Sequence, residues 1–382
     1  MRIKFKTVAG LYIHIPYCSK KCFYCDFYTI TPGALRSDFV DCLLKEIEIQ
    51  SDFLQHEPIE SIHFGGGTPS LLSSEEFHRI VNAVNHRFDL HSHIEFAIEV
   101  NPENVNLNNL KLWKELGINR LSIGVQSFFD NDLQFMNRSH NANQAEIAIQ
   151  MAKDFGFHNI SIDLIYGFTG LNMDKWKKNI EKFLTFELSH LSAYQMTIEP
   201  KTVLGIKHKK GEYVPETDEL FENQFFLLRD IMKSNGFEHY EISNWAKNGN
   251  YSTHNSNYWK HRNYLGIGPS AHSYNGKQRF WNVASLPKYI QSLKERKLSN
   301  EYETLETIDK YNEYILTSLR TMWGVDLHVI EDKFGLEFKI YLQENMKQYI
   351  KTNALIQTES VIKVSESGKM IADKIASDLF YD

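Results

Sequence analysis

The chain has 382 residues, enough for one large domain with a smaller companion. Hydrophobic residues make up 42% and charged residues 24%, which excludes a disordered chain. The formal charge of −6 argues against a nucleic-acid binder, and four cysteines are too few for a disulfide scaffold.

The opening stretch MRIKFKTVAG is basic, but no apolar run or small-residue cleavage site follows it. No apolar run reaches the length of about 18 residues that a membrane-spanning helix needs. A cytoplasmic protein with reduced thiols is expected. Short β-type runs then alternate with helical patterns. LYIHI (11–15), SIHF (61–64), IEFAIEV (94–100), RLSIGV (120–125), NISIDL (159–164) and HLSAYQM (190–196) are the strand candidates. Between them, Ala145, Ala148, Ile149, Ala152 and Phe155 show the spacing of one helix face. Gly117 and Gly156 each stand where a helix stops before a strand. This alternation predicts an α/β fold of parallel βα units wound into a barrel or part of one. An open, doubly wound sheet is the competing architecture.

The expected division is a barrel over 1–215, an extension over 216–300 and a small domain over 301–382. The extension holds the densest aromatic segment, YSTHNSNYWKHRNYLGIGPSAHSY. The last part predicts helices over 307–320, 326–334, 338–350 and 367–379, with a hairpin at ALIQTESVIKVS. That order resembles a winged helix, which invites a DNA reading. Residues 301–382, however, carry 15 acidic against 9 basic side chains, so the whole excess of −6 resides there. An acidic wing is a poor phosphate binder.

Cys18, Cys22 and Cys25 follow the first strand at spacings of three and then two intervening residues, while Cys42 stands alone on a helical stretch. Three thiolates so placed can curl around one metal centre, and soft thiolates suit zinc or an iron–sulfur cluster. Structural zinc normally needs a fourth ligand at matching spacing, and no second C-x₂-C occurs; a catalytic zinc on three protein ligands stays open, though such sites usually include His. A [4Fe–4S] cluster with three cysteines leaves one iron open to an outside ligand. Further along, Gly65-Gly66-Gly67-Thr68 ends the second strand. Glycines there serve either a turn or the close approach of a ligand to bare amides. Glu99, Gln126 and Asp163 also map to strand C-termini, the face on which βα barrels build their sites. Arg138 offers a fixed cation.

C-x₃-C-x₂-C directly after a first strand resembles the radical S-adenosylmethionine (SAM) superfamily. The resemblance implies that Cys18, Cys22 and Cys25 ligate a [4Fe–4S] cluster whose open iron chelates SAM. It also implies reductive cleavage of SAM to a 5′-deoxyadenosyl radical. YIHIPYC-x₃-C-x₂-CDF, GGGTPS, E99-V-N-P, IGVQSF and DLIYG narrow the likeness to the coproporphyrinogen-oxidase-like branch. The match implies SAM contacts from Tyr12, Tyr24, Gly66, Gly67, Thr68, Glu99, Gln126, Arg138 and Asp163, with Thr197 and Ile267 as further candidates. The expected fold is a partial (β/α)6 barrel with a small C-terminal helical, winged-helix-like domain.

Two functions compete within that branch. One is the oxygen-independent coproporphyrinogen III dehydrogenase, an oxidative decarboxylase. The other is the HemW-type heme chaperone. The dehydrogenase has a further cysteine after the third ligand, where this chain has Phe27, and a long extension ahead of the cluster, where only 17 residues precede Cys18. Both departures favour the chaperone type. His254-Asn255-Ser256-Asn257-Tyr258-Trp259 matches the HNxxYW motif of that type, which implies heme binding with His254 as the axial ligand. His261 and His272 are nearby alternatives. Heme-dependent acceptor proteins, among them membrane respiratory enzymes, are the implied partners.

Overall fold

The computed structural model describes residues 8–33 and 35–382, so most of the basic opening stretch, residues 1–7, lies outside the described residues. The six expected strands form: β1 (Ala9–Ile15), β2 (Ile59–Gly66), β3 (Leu90–Val100), β4 (Arg120–Gln126), β5 (Asn159–Tyr166) and β6 (His190–Gln195). They pair in parallel and in chain order. Helices over Arg36–Ile49, Ser74–Arg87, Leu107–Glu115, Ala142–Asp154 and Met173–Thr185 carry the chain back between them, as parallel pairing requires. Their ends follow local chemistry. Ser73 with Glu76, and Asn141 with Gln144, form capping boxes. Gly117 and Gly156 take left-handed φ angles of 83° and 92° where two helices stop.

The sheet is wider than six strands. β7 (Glu238–Glu241) and β8 (Asn244–Ala246) continue it antiparallel beyond β6, and β9 (Tyr264–Ile267) pairs in parallel with the free edge of β1. β10 (His272–Tyr274), β11 (Gln278–Asn282) and β12 (Asn300–Thr304) follow as an antiparallel run. The order is β12-β11-β10-β9-β1-β2-β3-β4-β5-β6-β8-β7, so among the described residues the ends do not close on each other. The fold is a partial barrel flanked by extra strands on both sides.

Alternation along the strands decides what faces where. Leu11, Ile13, Ile62, Phe64, Ile98, Leu121, Ile123, Ile160 and Ile162 belong to the large apolar core against the helices. The alternate residues are polar and bond to one another across the barrel interior. Ser61 meets His254, His63 meets Glu99, Ser122 donates to Asp163, and Ser161 meets His190. Barrel interiors are commonly filled with branched aliphatics. This one is lined for polar contacts.

The C-terminal part has its own core around Tyr311, Ile315, Ile330, Leu355 and Ile375. Helices over Thr307–Leu319, Leu327–Phe334 and Ala372–Asp378 surround a small sheet of β13 (Val325–Asp326), β14 (Leu355–Thr358) and β15 (Val361–Val364). The helix expected over 338–350 is divided into Leu336–Asn345 and Lys347–Lys351.

Candidate functional site

The cysteine loop leaves β1 and is tied down on three sides. Cys18 N donates to Ile30 O at 2.9 Å and Ile30 N to Pro16 O at 2.7 Å, folding the loop back on its base. Phe23 N donates to Met136 O, and Phe23 O accepts from Leu204 N. Cys18, Cys22 and Cys25 are free and half-buried. Among the described residues, no three His, Cys, Asp or Glu side chains converge closely enough to hold a single ion. The three thiolates are soft ligands of the kind an iron–sulfur cluster uses, one cysteine to each of three irons. Burial pushes the Cys25 thiol up to about 11 and raises Cys18 as well. Taking up a metal centre must therefore displace protons from them.

A polar chain links two of the sulfurs. Cys18 Sγ lies 3.4 Å from Thr68 Oγ1, which accepts from Asn101 Nδ2 at 3.2 Å. Asn101 Oδ1 accepts from Arg138 at 2.7 Å, and Arg138 also donates to Cys22 Sγ at 3.4 Å and to Gly124 O at 2.7 Å. Arg138 keeps the charge that arginine carries throughout the ordinary pH range; burial opposes it, and the charge of Glu103 and the bond to Cys22 favour it.

The glycine run has a packing reason beside any ligand. A Cβ on Gly67 would fall 2.6 Å from Tyr17 O, and one on Gly66 2.4 Å from the His14 ring. Gly66 also takes a φ of 103°. Its N–H donates to Glu99 Oε2 at 3.1 Å, while Glu99 Oε1 meets His63 Nε2 at 3.0 Å. Burial raises the Glu99 pKa, but the His63 bond and the Gly66 amide prevail and keep it below the usual range. Asp163 goes the other way. Burial, then the Glu99 charge, push it up to about 7. Gln126 ends β4 with φ 68°, a left-handed conformation rare for a side chain with a Cβ. Such strain concentrates at functional sites. Tyr12 completes the wall, its hydroxyl 3.0 Å from His14 Nδ1 and its ring stacked on His63.

The structure thus brings Tyr12, Tyr24, Gly66, Gly67, Thr68, Glu99, Gln126, Arg138 and Asp163 to the mouth and upper interior beside the cysteines. Asn101, His63 and His14 join them and had not been singled out. Thr197 is exposed just past β6. Ile267 is fully buried in the apolar core, its backbone paired with Ile13.

His254 closes the same interior from below, its ring stacked on His63 at 4.9 Å and on Tyr12 at 6.2 Å. Its short helix, Thr253–Trp259, plugs the N-terminal end of the barrel, and Glu95 accepts the backbone N–H groups of Thr253 and His254 from inside. His254 is 3% exposed. Its Nδ1 meets Ser61 Oγ and its Nε2 meets Tyr258 Oη, both at 2.9 Å. Burial holds the ring neutral, its pKa well below the usual value. An axial bond to heme iron would have to displace one of these partners. His261 is bonded to Thr317 of the C-terminal domain, and His272 lies exposed beside Trp281.

The radical SAM superfamily matches residues 12–183, and the HemN C-terminal domain matches residues 305–371. A heme chaperone HemW of Lactococcus lactis is 30% identical over 97% of this chain and 97% of its own length. One from Bacillus subtilis is 31% identical over 95% of this chain and 97% of its own. The chain belongs to the HemW family. The fold of this HemW-family chain matches that of the Escherichia coli coproporphyrinogen III oxidase HemN, a radical SAM enzyme, with a TM-score of 0.85 at 22% identity. That likeness covers 98% of this chain and 90% of the other.

Proposed function

We propose that the protein is a heme chaperone, which binds heme and passes it to heme-dependent acceptor proteins while carrying a [4Fe–4S] cluster and SAM. Likeness over nearly the whole chain to curated heme chaperones supports this most strongly. In this reading Cys18, Cys22 and Cys25 would hold the cluster, and SAM would bind beside it. When bound, the cluster supplies the electron for reductive cleavage of the SAM sulfonium bond.

The side chains then divide the work. Arg138, held charged and anchored by Asn101, faces the SAM carboxylate. Gly66, Gly67 and Thr68 meet the amino group. Glu99, kept ionised by His63, accepts from ribose hydroxyls. Tyr12, Tyr24, Gln126 and Asp163 wall the remainder, and Asp163 can hold or release a proton near neutral pH. Heme docks at the HNSNYW segment, with His254 as ligand only if Ser61 or Tyr258 lets go of its ring. We place the protein in the cytoplasm, with membrane respiratory enzymes among its acceptors. No helix among the described residues is long and apolar enough to cross a membrane.

Anaerobic protein with a reconstituted cluster, given coproporphyrinogen III, SAM and a reductant, tests the reading. No protoporphyrinogen is expected. Its formation would replace the chaperone with the dehydrogenase.

A further inference from the structure

A pocket of about 190 Å³ opens at the N-terminal end of the barrel, away from the cysteine loop. It is lined by Tyr251, Ser256, Asn257, Lys260 and Arg262, with Glu60 at the start of β2 as its one carboxylate. Two cations therefore face one anion. Among the described residues neither Lys260 nor Arg262 forms an ion pair. Lys260 Nζ rests 4.4 Å from the centre of the Trp323 ring instead.

The second observation is independent of charge. Ser256 is 3% exposed, and its Oγ is buried with no hydrogen-bond partner. Trp259, on the same short helix, lies outside the pocket lining and is only partly buried, though its Nε1 is likewise unpartnered. Orphaned polar groups are uncommon in folded proteins and point to a bound partner. A hydroxyl beside a lysine and an arginine is a donor set for a planar anion. Burial lowers the Lys260 pKa, as does the Arg262 charge, while Glu60 raises it, so an anion settling between the two cations would relieve their repulsion.

We propose that this pocket is a carboxylate site that, given the heme reading on which this step rests, takes the propionates of heme docked at the HNSNYW segment. The pocket is smaller than the roughly 300–1,000 Å³ of sites that enclose whole ligands, so only the propionates enter it. The macrocycle lies across the mouth, where Tyr251 and Trp323 meet edge to face at 6.0 Å. His254 need not be released for this docking.

The test compares hemin with hemin dimethyl ester by Soret titration, on wild-type protein and on Lys260→Met/Arg262→Met. Loss of two charge-assisted contacts should weaken hemin binding about tenfold to a hundredfold. The ester should bind the wild type weakly and the variant no worse. Ser256→Ala, which leaves both cations in place, should weaken hemin by a smaller factor. Equal hemin affinity in wild type and double variant overturns the proposal, and so does equal binding of acid and ester. Millimolar glutarate, followed by shifts of the Trp259 and Trp323 indole N–H resonances, separates this site from the heme reading. Shifts lost in the double variant, with no hemin bound by wild type, would keep the carboxylate site and discard heme. No shifts and no hemin binding would discard both.

Discussion

Asp163 gives the sharpest test of the barrel interior. An ordinary aspartate titrates near pH 3.9, but burial, then the charge of Glu99, push this one up to about 7. An acid whose pKa is raised by folding stabilises the folded state only while protonated. Its contribution is therefore complete below the unfolded value and disappears as pH rises through the folded one. Between about pH 5 and pH 7 the slope starts near 1.36 kcal/mol per unit and flattens as the folded-state acid reaches half ionisation, so the loss is ~2.3 kcal/mol. Asp163→Asn keeps the shape and the bond from Ser122 but removes the titration. Urea unfolding of both proteins, at matched cluster content and at several pH values across that window, measures the difference. Wild-type stability should fall relative to the variant by about 2–3 kcal/mol as pH rises. Parallel curves would refute the account of Asp163 as a desolvated acid beside an ionised Glu99.

The other predictions concern packing and ligand support. Gly67→Ala puts a Cβ 2.6 Å from Tyr17 O and should cost about 1–3 kcal/mol in unfolding free energy with a drop in bound iron and sulfide. Gly33→Ala, which meets no atom of the described residues within 4 Å, should leave both unchanged. Asn101→Ala breaks the link between Thr68 and Arg138 and should make the cluster midpoint potential more negative in an EPR-monitored redox titration. An unmoved potential would show that Arg138 needs no such anchor. His254→Ala strands the Tyr258 hydroxyl, leaves Ser61 with Asn257 alone, and should cost about 2–4 kcal/mol, measured by urea unfolding. A loss within experimental scatter would mean that the barrel end does not depend on that ring.

The six central strands were legible because each shows apolar residues on one face between a helix stop and a turn. The polar site at their C-terminal ends followed from the same register. β9 was not legible. It has four residues, YLGI, and its partner β1 lies some 250 residues earlier, so only tertiary structure supplies the pairing. His63 could have been found, since Ser61, His63 and Gly65 alternate toward the interior on β2. Asn101 could not, because its role depends on Thr68 and Arg138 arriving from separate loops, one after β2 and one after the helix Asp130–Phe135. Gly66 and Gly67 read as amides bared for a ligand. The structure adds a tight approach to His14 and to the backbone at Tyr17. For His254 the motif was visible, and Tyr258 four residues on is a natural helix neighbour. Ser61, nearly 200 residues away, completes the hydrogen bonding that seals the ring.

Heme delivery can be followed directly. Protein loaded with one equivalent of hemin, mixed with a heme-free acceptor such as a membrane respiratory enzyme prepared without its heme, tests it by the transfer of the Soret spectrum and the gain of acceptor activity. Hemin should leave this protein for the acceptor faster than free hemin enters it. Retention of hemin by this protein, or acceptor loading no faster than from free hemin, would contradict the chaperone function.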